Sequence, residues 1–161
     1  MADARLARWV FGSVAKHLHD AAEAISLPLV VEFLDDRSQT WIDAPAKAEV
    51  TISGPATREI SSGLFRVWVT VTCIVSSDKQ TEENAYDHLD RAGAIQAALF
   101  QCITVKQYEP GVDDPETVGF LTPRDAPSDV IDVANLKPGE NDHISNSVIT
   151  ARLSGYFLET S

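Results

Sequence analysis

Leu64-Phe65-Arg66-Val67-Trp68-Val69-Thr70-Val71-Thr72-Cys73-Ile74-Val75 is the stretch whose pattern decides the fold. Its odd positions, Phe65, Val67, Val69, Val71, Cys73 and Val75, are all apolar, and the polar Arg66, Thr70 and Thr72 alternate with them. Side chains of a strand point to opposite faces at a period of two, so the pattern predicts a strand with one face in the core. Twelve such residues reach roughly 40 Å at about 3.3 Å each, about twice the usual strand. A strand of that length outruns one small core. Its even face also carries Trp68 and Ile74, large groups that need a partner.

A strand from Ala48 to Ser53 follows Pro45 and is expected to stop at Gly54-Pro55, with a polar stretch through Ser61-Ser62-Gly63 closing a hairpin. Upstream, Leu6, Trp9, Val10, Val14, Leu18, Ala21, Ala22 and Ile25 recur every three or four residues. That spacing predicts an amphipathic helix over Ala2 to Ser26, ended by Pro28. Leu29 to Leu34 reads as a strand closed by the turn Asp35-Asp36-Arg37-Ser38. Downstream, Asn84 to Gln101 places Ala85, Leu89, Ala92, Gln96 and Leu99 on one helical stripe, widened by Ile95 and Phe100. Ile103 to Tyr108 and Thr117 to Leu121 read as short strands. Val148 to Leu158 is a long one, with Ile149, Ala151, Leu153, Gly155 and Phe157 on its inner face. This order predicts an α+β fold: a mostly antiparallel sheet, two main helices packed on one face, and a long hairpin strand. A doubly wound parallel sheet needs more crossover helices than these two.

The 161 residues suit a single domain over 1-161. Between Glu109 and Asp142 stand nine acidic residues against Arg124 and Lys137, with five of the eight prolines. That composition predicts a long acidic excursion from the sheet at about 109-142, with Gly111 to Asn141 its most protease-sensitive part. No apolar run is long enough to span a bilayer, and the first residues lack the apolar stretch of a signal peptide, so the expectation is a cytosolic chain with no membrane partner. Cys73 and Cys102 lie in apolar surroundings and are expected as small buried thiols rather than a disulfide. The net charge of -11 and the absence of a basic run argue against tight nucleic-acid binding.

The chain has no GxGxxG, GxxxxGK[ST] or GxSxG, so phosphate cradles and serine-hydrolase elbows of those kinds are excluded. His17 and His19 stand two apart on a helix and face different ways, one at the core edge and one in solvent. His88, flanked by Asp87 and Asp90, reads as a surface residue. His143, beside Asp142, is the one candidate general base. The acid pairs Asp35-Asp36 and Asp113-Asp114 lack the alternating oxygen pattern of a calcium loop and read as solvated turns. No catalytic residue, metal ligand or cofactor is assigned.

What remains is surface. The even face of the long strand (Arg66, Trp68, Thr70 and Ile74) and the matching face of the last strand (Arg152, Tyr156) present large amphipathic groups of the kind subunit interfaces favour. A covering segment of the same chain is the other way to satisfy them. The order of elements carries a resemblance: an N-terminal helix into a strand ending in acids (VEFLDD), a very long hairpin arm (FRVWVTVTCIV), an alanine-rich helix (NAYDHLDRAGAIQAALF) and a closing strand (ITARLSGYFLE). This resembles the tail terminator and head-to-tail joining (neck) proteins of long-tailed bacteriophages. The resemblance implies a non-enzymatic virion structural protein, assembled in the host cytoplasm as a ring of typically six copies at the head-proximal end of the tail tube. Its implied partners are itself, the tail tube protein and the head connector, with DNA passing through the lumen without specific binding. Asp113, Asp114 and Glu116 are the acids expected to line the lumen or to dock a neighbour, since carboxylates repel phosphates over about 8 to 10 Å. Two alternatives stay open: another tail completion, tube or baseplate component, and a small enzyme or ligand-binding domain using His143 with the acidic excursion as a lid.

Overall fold

The alternating stretch forms strand β3, Leu64–Asp78, and each odd residue from Phe65 to Ser77 is buried. It pairs along its whole length with β7, Ile144–Leu158, in antiparallel register from Leu64 opposite Leu158 to Asp78 opposite Ile144. On its other side runs β2, Ala46–Ser61, also antiparallel. The computed structural model describes residues 4–78, 82–123, 131–136 and 144–158. Beyond β2 lies β1, Leu29–Val31, the one parallel neighbour, and beyond β7 lie β5, Thr117–Leu121, and β4, Ile103–Lys106. The sheet order is β1-β2-β3-β7-β5-β4, with β6, Asp132–Leu136, pairing further along the free side of β7. The architecture is the expected α+β one, with a curled and mostly antiparallel sheet.

Two long helices, α1 over Leu6–Ala24 and α3 over Glu82–Phe100, cover the odd face. Trp9, Val10, Val14 and Leu18 of α1 meet Val50, Val71, Cys73 and Leu153 in one apolar cluster with Ala92, Ile95 and Leu99 of α3. Burial of this apolar surface is the main favourable term in folding. A single-turn helix α2, Gln39–Ile42, is capped by the Ser38 hydroxyl, which accepts from the Trp41 amide at 3.2 Å.

Several expectations change. Gly54-Pro55 does not end the second strand, which continues to Ser61. β1 covers only Ala48 to Val50, so past that point β2 is an edge on which a proline has no ladder bond to lose, and the chain absorbs it as a bulge between Ser53 and Ala56. β1 itself stops at Val31, because Leu34 and Asp35 both turn back to donate to the Val31 carbonyl. In α3 the inward stripe is His88, Ala92, Ile95 and Leu99, while Leu89 is 45% exposed. Phe100 also faces outward. Cys73 is buried as expected, and burial pushes its thiol up to about 12. Cys102 is exposed, since the chain turns sharply between α3 and β4.

Among the described residues, part of the acidic excursion is built into the fold. Residues 107–116 form the loop of the β4–β5 hairpin, held to α1 by Arg5 and Arg8 on the Glu109 carboxylate and by the Ser13 hydroxyl accepting from the Lys106 amide at 3.0 Å. The unexpected strand β6 then uses Asp132 to Leu136 to extend the ladder on β7. Residues 124–130 and 137–141 of the proposed protease-sensitive stretch lie outside the described residues.

Candidate interface on the open sheet face

The register decides which side chains share the even face. Arg66 stands opposite Tyr156, Trp68 opposite Ser154, Thr70 opposite Arg152 and Ile74 opposite Val148. All six residues expected at an interface therefore lie on one face of two paired strands. The bulge in β2 shifts its parity, so that Ala56 and Arg58 join this face opposite Trp68 and Arg66.

At the centre the Arg66 guanidinium carbon sits 5.3 Å from the ring centroids of both Trp68 and Tyr156. A guanidinium stacked between two rings is held in one orientation by cation–π attraction. Next to it Arg66, Phe120, Thr122, Ser154, Gly155 and Tyr156 line a shallow open groove. Phe120, Tyr156 and Leu158 are half or more exposed there. Arg58 and Arg152, the other arginines of this face, make no ion pair among the described residues. Around the groove the face is thus aromatic and basic in a chain whose net charge is -11, while Glu49, Asp78 and Asp132 lie elsewhere on the same face.

The expected acids are elsewhere. Asp113, Asp114 and Glu116 are exposed on the β4–β5 loop, whose Glu109 pairs with Arg5 and Arg8 near the start of α1, and none of the three lines the aromatic groove. They do not join the six interface residues. His143 lies outside the described residues, and so does its neighbour Asp142. No group of three or more His, Cys, Asp or Glu suited to a metal occurs among the described residues, and none of the described helices is long and apolar enough to cross a membrane.

His88 overturns its surface assignment: it is 4% exposed, bonded through Nδ1 to the Ser77 hydroxyl and through Nε2 to the Ser147 hydroxyl, both at 2.8 Å. Ser147 donates in turn to Asn135 Oδ1 at 2.5 Å, and Arg91 donates to the Ser77 oxygen at 3.3 Å. These directions suit one arrangement: Ser77 donates to Nδ1, and Nε2–H donates to Ser147. The imidazole is neutral in that chain. Desolvation, then the nearby Arg91 charge, lowers its pKa from 6.5. The stabilisation of neutral His88 is fully present above pH 6.5 and is lost as the pH falls through the depressed folded value. We expect the His88 imidazole resonances to titrate below the free-histidine range, and amide exchange at Asn135 of β6 to speed up over the same interval. Titration at or above the ordinary value would sink this account.

His17 and His19 each tie two elements together. His17 Nε2 donates to the Ala98 carbonyl at 2.8 Å, tying α1 to α3. His19 Nε2 lies 2.7 Å from Asp35 Oδ2, the same oxygen that accepts from the Val31 amide at 2.8 Å. Asp35 therefore braces the turn after β1. At its tip Phe33 is 96% exposed with a φ of 80°, packed edge-on to Phe11 with ring centroids 6.1 Å apart. Sequence pattern placed Phe33 in a strand, and only its exposure marks it as a surface feature.

No family model matches this chain. No curated protein matches it either. Among solved structures 19 chains match, one of them with a TM-score of 0.48 and 14% identity over 96% of both chains.

Proposed function

We propose that this chain is a non-enzymatic virion structural protein, a tail terminator that forms a ring at the head-proximal end of a bacteriophage tail tube. The ring stops tube growth and joins the tail to the head connector. The observation that carries this reading is the amphipathic face of β2, β3 and β7, on which the half-buried Arg66 and Trp68 meet the exposed Tyr156. Clustered aromatics and arginine are the groups that supply most of the binding energy where subunits meet. The order of elements supports it too: the long hairpin between two helices, closed by a C-terminal strand, is the order that resembles tail terminators. In this reading a hexamer encloses the DNA path, and Asp113, Asp114 and Glu116 face the lumen, where their charge keeps the genome sliding.

The test is assembly. The tail tube protein from the same genome is polymerised with and without this chain, and tubes are imaged and their subunits counted. Tubes capped at one end by about six copies, and arrested in length, are the expected result. A single copy per tube end, or tubes that grow at the normal rate beside the protein, would reject the reading.

A further inference from the structure

We propose that the Phe33 turn of one copy inserts into the groove beside Arg66 and Tyr156 of the next copy, making a head-to-tail contact. The inference deepens the ring reading and takes from it only the choice of a second copy as occupant.

The two surfaces complement each other in charge and in apolar character. The turn Glu32-Phe33-Leu34-Asp35-Asp36 presents an apolar tip, with Phe33 at 96% and Leu34 at 55% exposure, flanked by carboxylates. The groove presents apolar walls, Phe120 and Tyr156, with Arg58, Arg66 and Arg152 on the surrounding face. A phenylalanine that keeps nearly all its surface in water loses the benefit of burial until a partner supplies it. Arg58 and Arg152 are both exposed, and the planar donor fork of a guanidinium suits a carboxylate.

The turn is also braced before any partner arrives. Asp35 Oδ2 is shared by the Val31 amide and His19, Glu32 donates its amide to the Val50 carbonyl at 2.8 Å, and Thr51 donates its hydroxyl to Glu32 at 2.9 Å. A projection held this way loses little freedom on docking, and preorganisation raises affinity. Phe33 holds a positive φ that a β-carbon makes costly, a conformation found where a position is constrained for a role.

One copy cannot satisfy itself. Val31 pairs with Val50, and Val50 with Cys73, at the β1 edge of the sheet. The groove is centred on Arg66, farther along β3 by roughly 23 Å at about 3.3 Å per residue, and on the β5 side. Two different surfaces at opposite ends of one sheet make a heterologous contact, which closes into a ring when the rotation per copy divides a full turn.

The contact is tested on the full chain in a Cys102→Ser background, which removes the exposed thiol. One preparation carries Leu34→Cys, beside the inserted Phe33, and the other Thr122→Cys, on the groove lining, so that Phe33, Arg66 and Tyr156 stay in place. Under mild oxidation a disulfide dimer is expected when the two are mixed and not from either alone. In the native-cysteine chain, Asp36→Arg and Arg152→Glu should each weaken self-association at least tenfold by light scattering or on capped tubes, and the double swap should restore it to within about threefold. Phe33→Ser, a fully exposed change, should melt with the wild type and lose association. Phe33→Ser protein that associates as the wild type does, or that loses only a tube-protein or nucleic-acid contact, overturns the second-copy contact and leaves the ring reading standing. Wild-type protein that remains a single copy both in solution and at tube ends overturns both.

Discussion

Gly155→Ala is expected to destabilise the fold by about 3 kcal/mol, the upper part of the range for overpacking a filled site. Gly155 sits in β7 opposite Val67, where β5 crosses close above it. A β-carbon there would overlap the carbonyl oxygen of Phe120 and lie 3.2 Å from Cε1 of Phe157. The first obstacle is backbone, so relief requires moving β5 off β7. That movement breaks the paired bonds between Thr122 and Ser154, both 2.9 Å. In a domain of this size the melting temperature should drop by about 6 to 12 °C. Gly93→Ala is the control: nothing lies within 4 Å of its added methyl, and alanine in the exposed middle of α3 should raise stability by roughly 0.5 to 1 kcal/mol. Gly155→Ala protein that melts within 2 °C of the wild type, on the order of 1 kcal/mol or less, would mean β5 does not press on β7 there.

The second large effect separates two leucines that a helical stripe treats alike. Leu99 is fully buried beneath the sheet, and Leu99→Ala should cost about 3 kcal/mol, the lost transfer energy plus the cavity left behind. Leu89 is 45% exposed, so Leu89→Ala should cost under about 1 kcal/mol. Urea denaturation of both variants measures the difference directly, because neither change should alter the slope with denaturant. Equal losses would restore the stripe read from the sequence and place His88 on the surface after all.

That pair shows where pattern reading loses its hold. The stripes through Leu89 and through His88 share Ala92 and Leu99, and hydropathy alone favours leucine inside. His88 takes the inner position because Ser77 on β3 and Ser147 on β7 satisfy both of its nitrogens, and a buried polar group with its bonds made is no longer expensive. Those serines lie 11 and 59 residues away, so no local window contains the reason. The same holds for Gly54-Pro55, a stop signal in isolation that becomes a bulge because β1 leaves that edge of β2 unpaired.

The candidate interface divides in the same way. Arg66, Trp68, Thr70 and Ile74 share a face by strand periodicity alone, and Arg152 and Tyr156 share another. Their union into one surface depends on Arg66 meeting Tyr156 rather than a neighbour one residue away, since a slip of one residue would turn every side chain of β7 over. Arg58 reaches the face only through the bulge, and Phe120 only through the crossing of β5.

By itself the sequence determined the α+β class, the two amphipathic helices, and the division of the two longest strands into an apolar and an amphipathic face. Each of these follows from a period of two or 3.6 residues, written into neighbouring positions. The tertiary structure alone decided the β1–β2 parallel pair, the strand β6 inside an acidic stretch, the buried His88 chain, and the exposed turn that holds Phe33 in water. Each of those rests on which distant segment supplies a bond or a wall, and such long-range pairing leaves no periodic mark on the residues that depend on it.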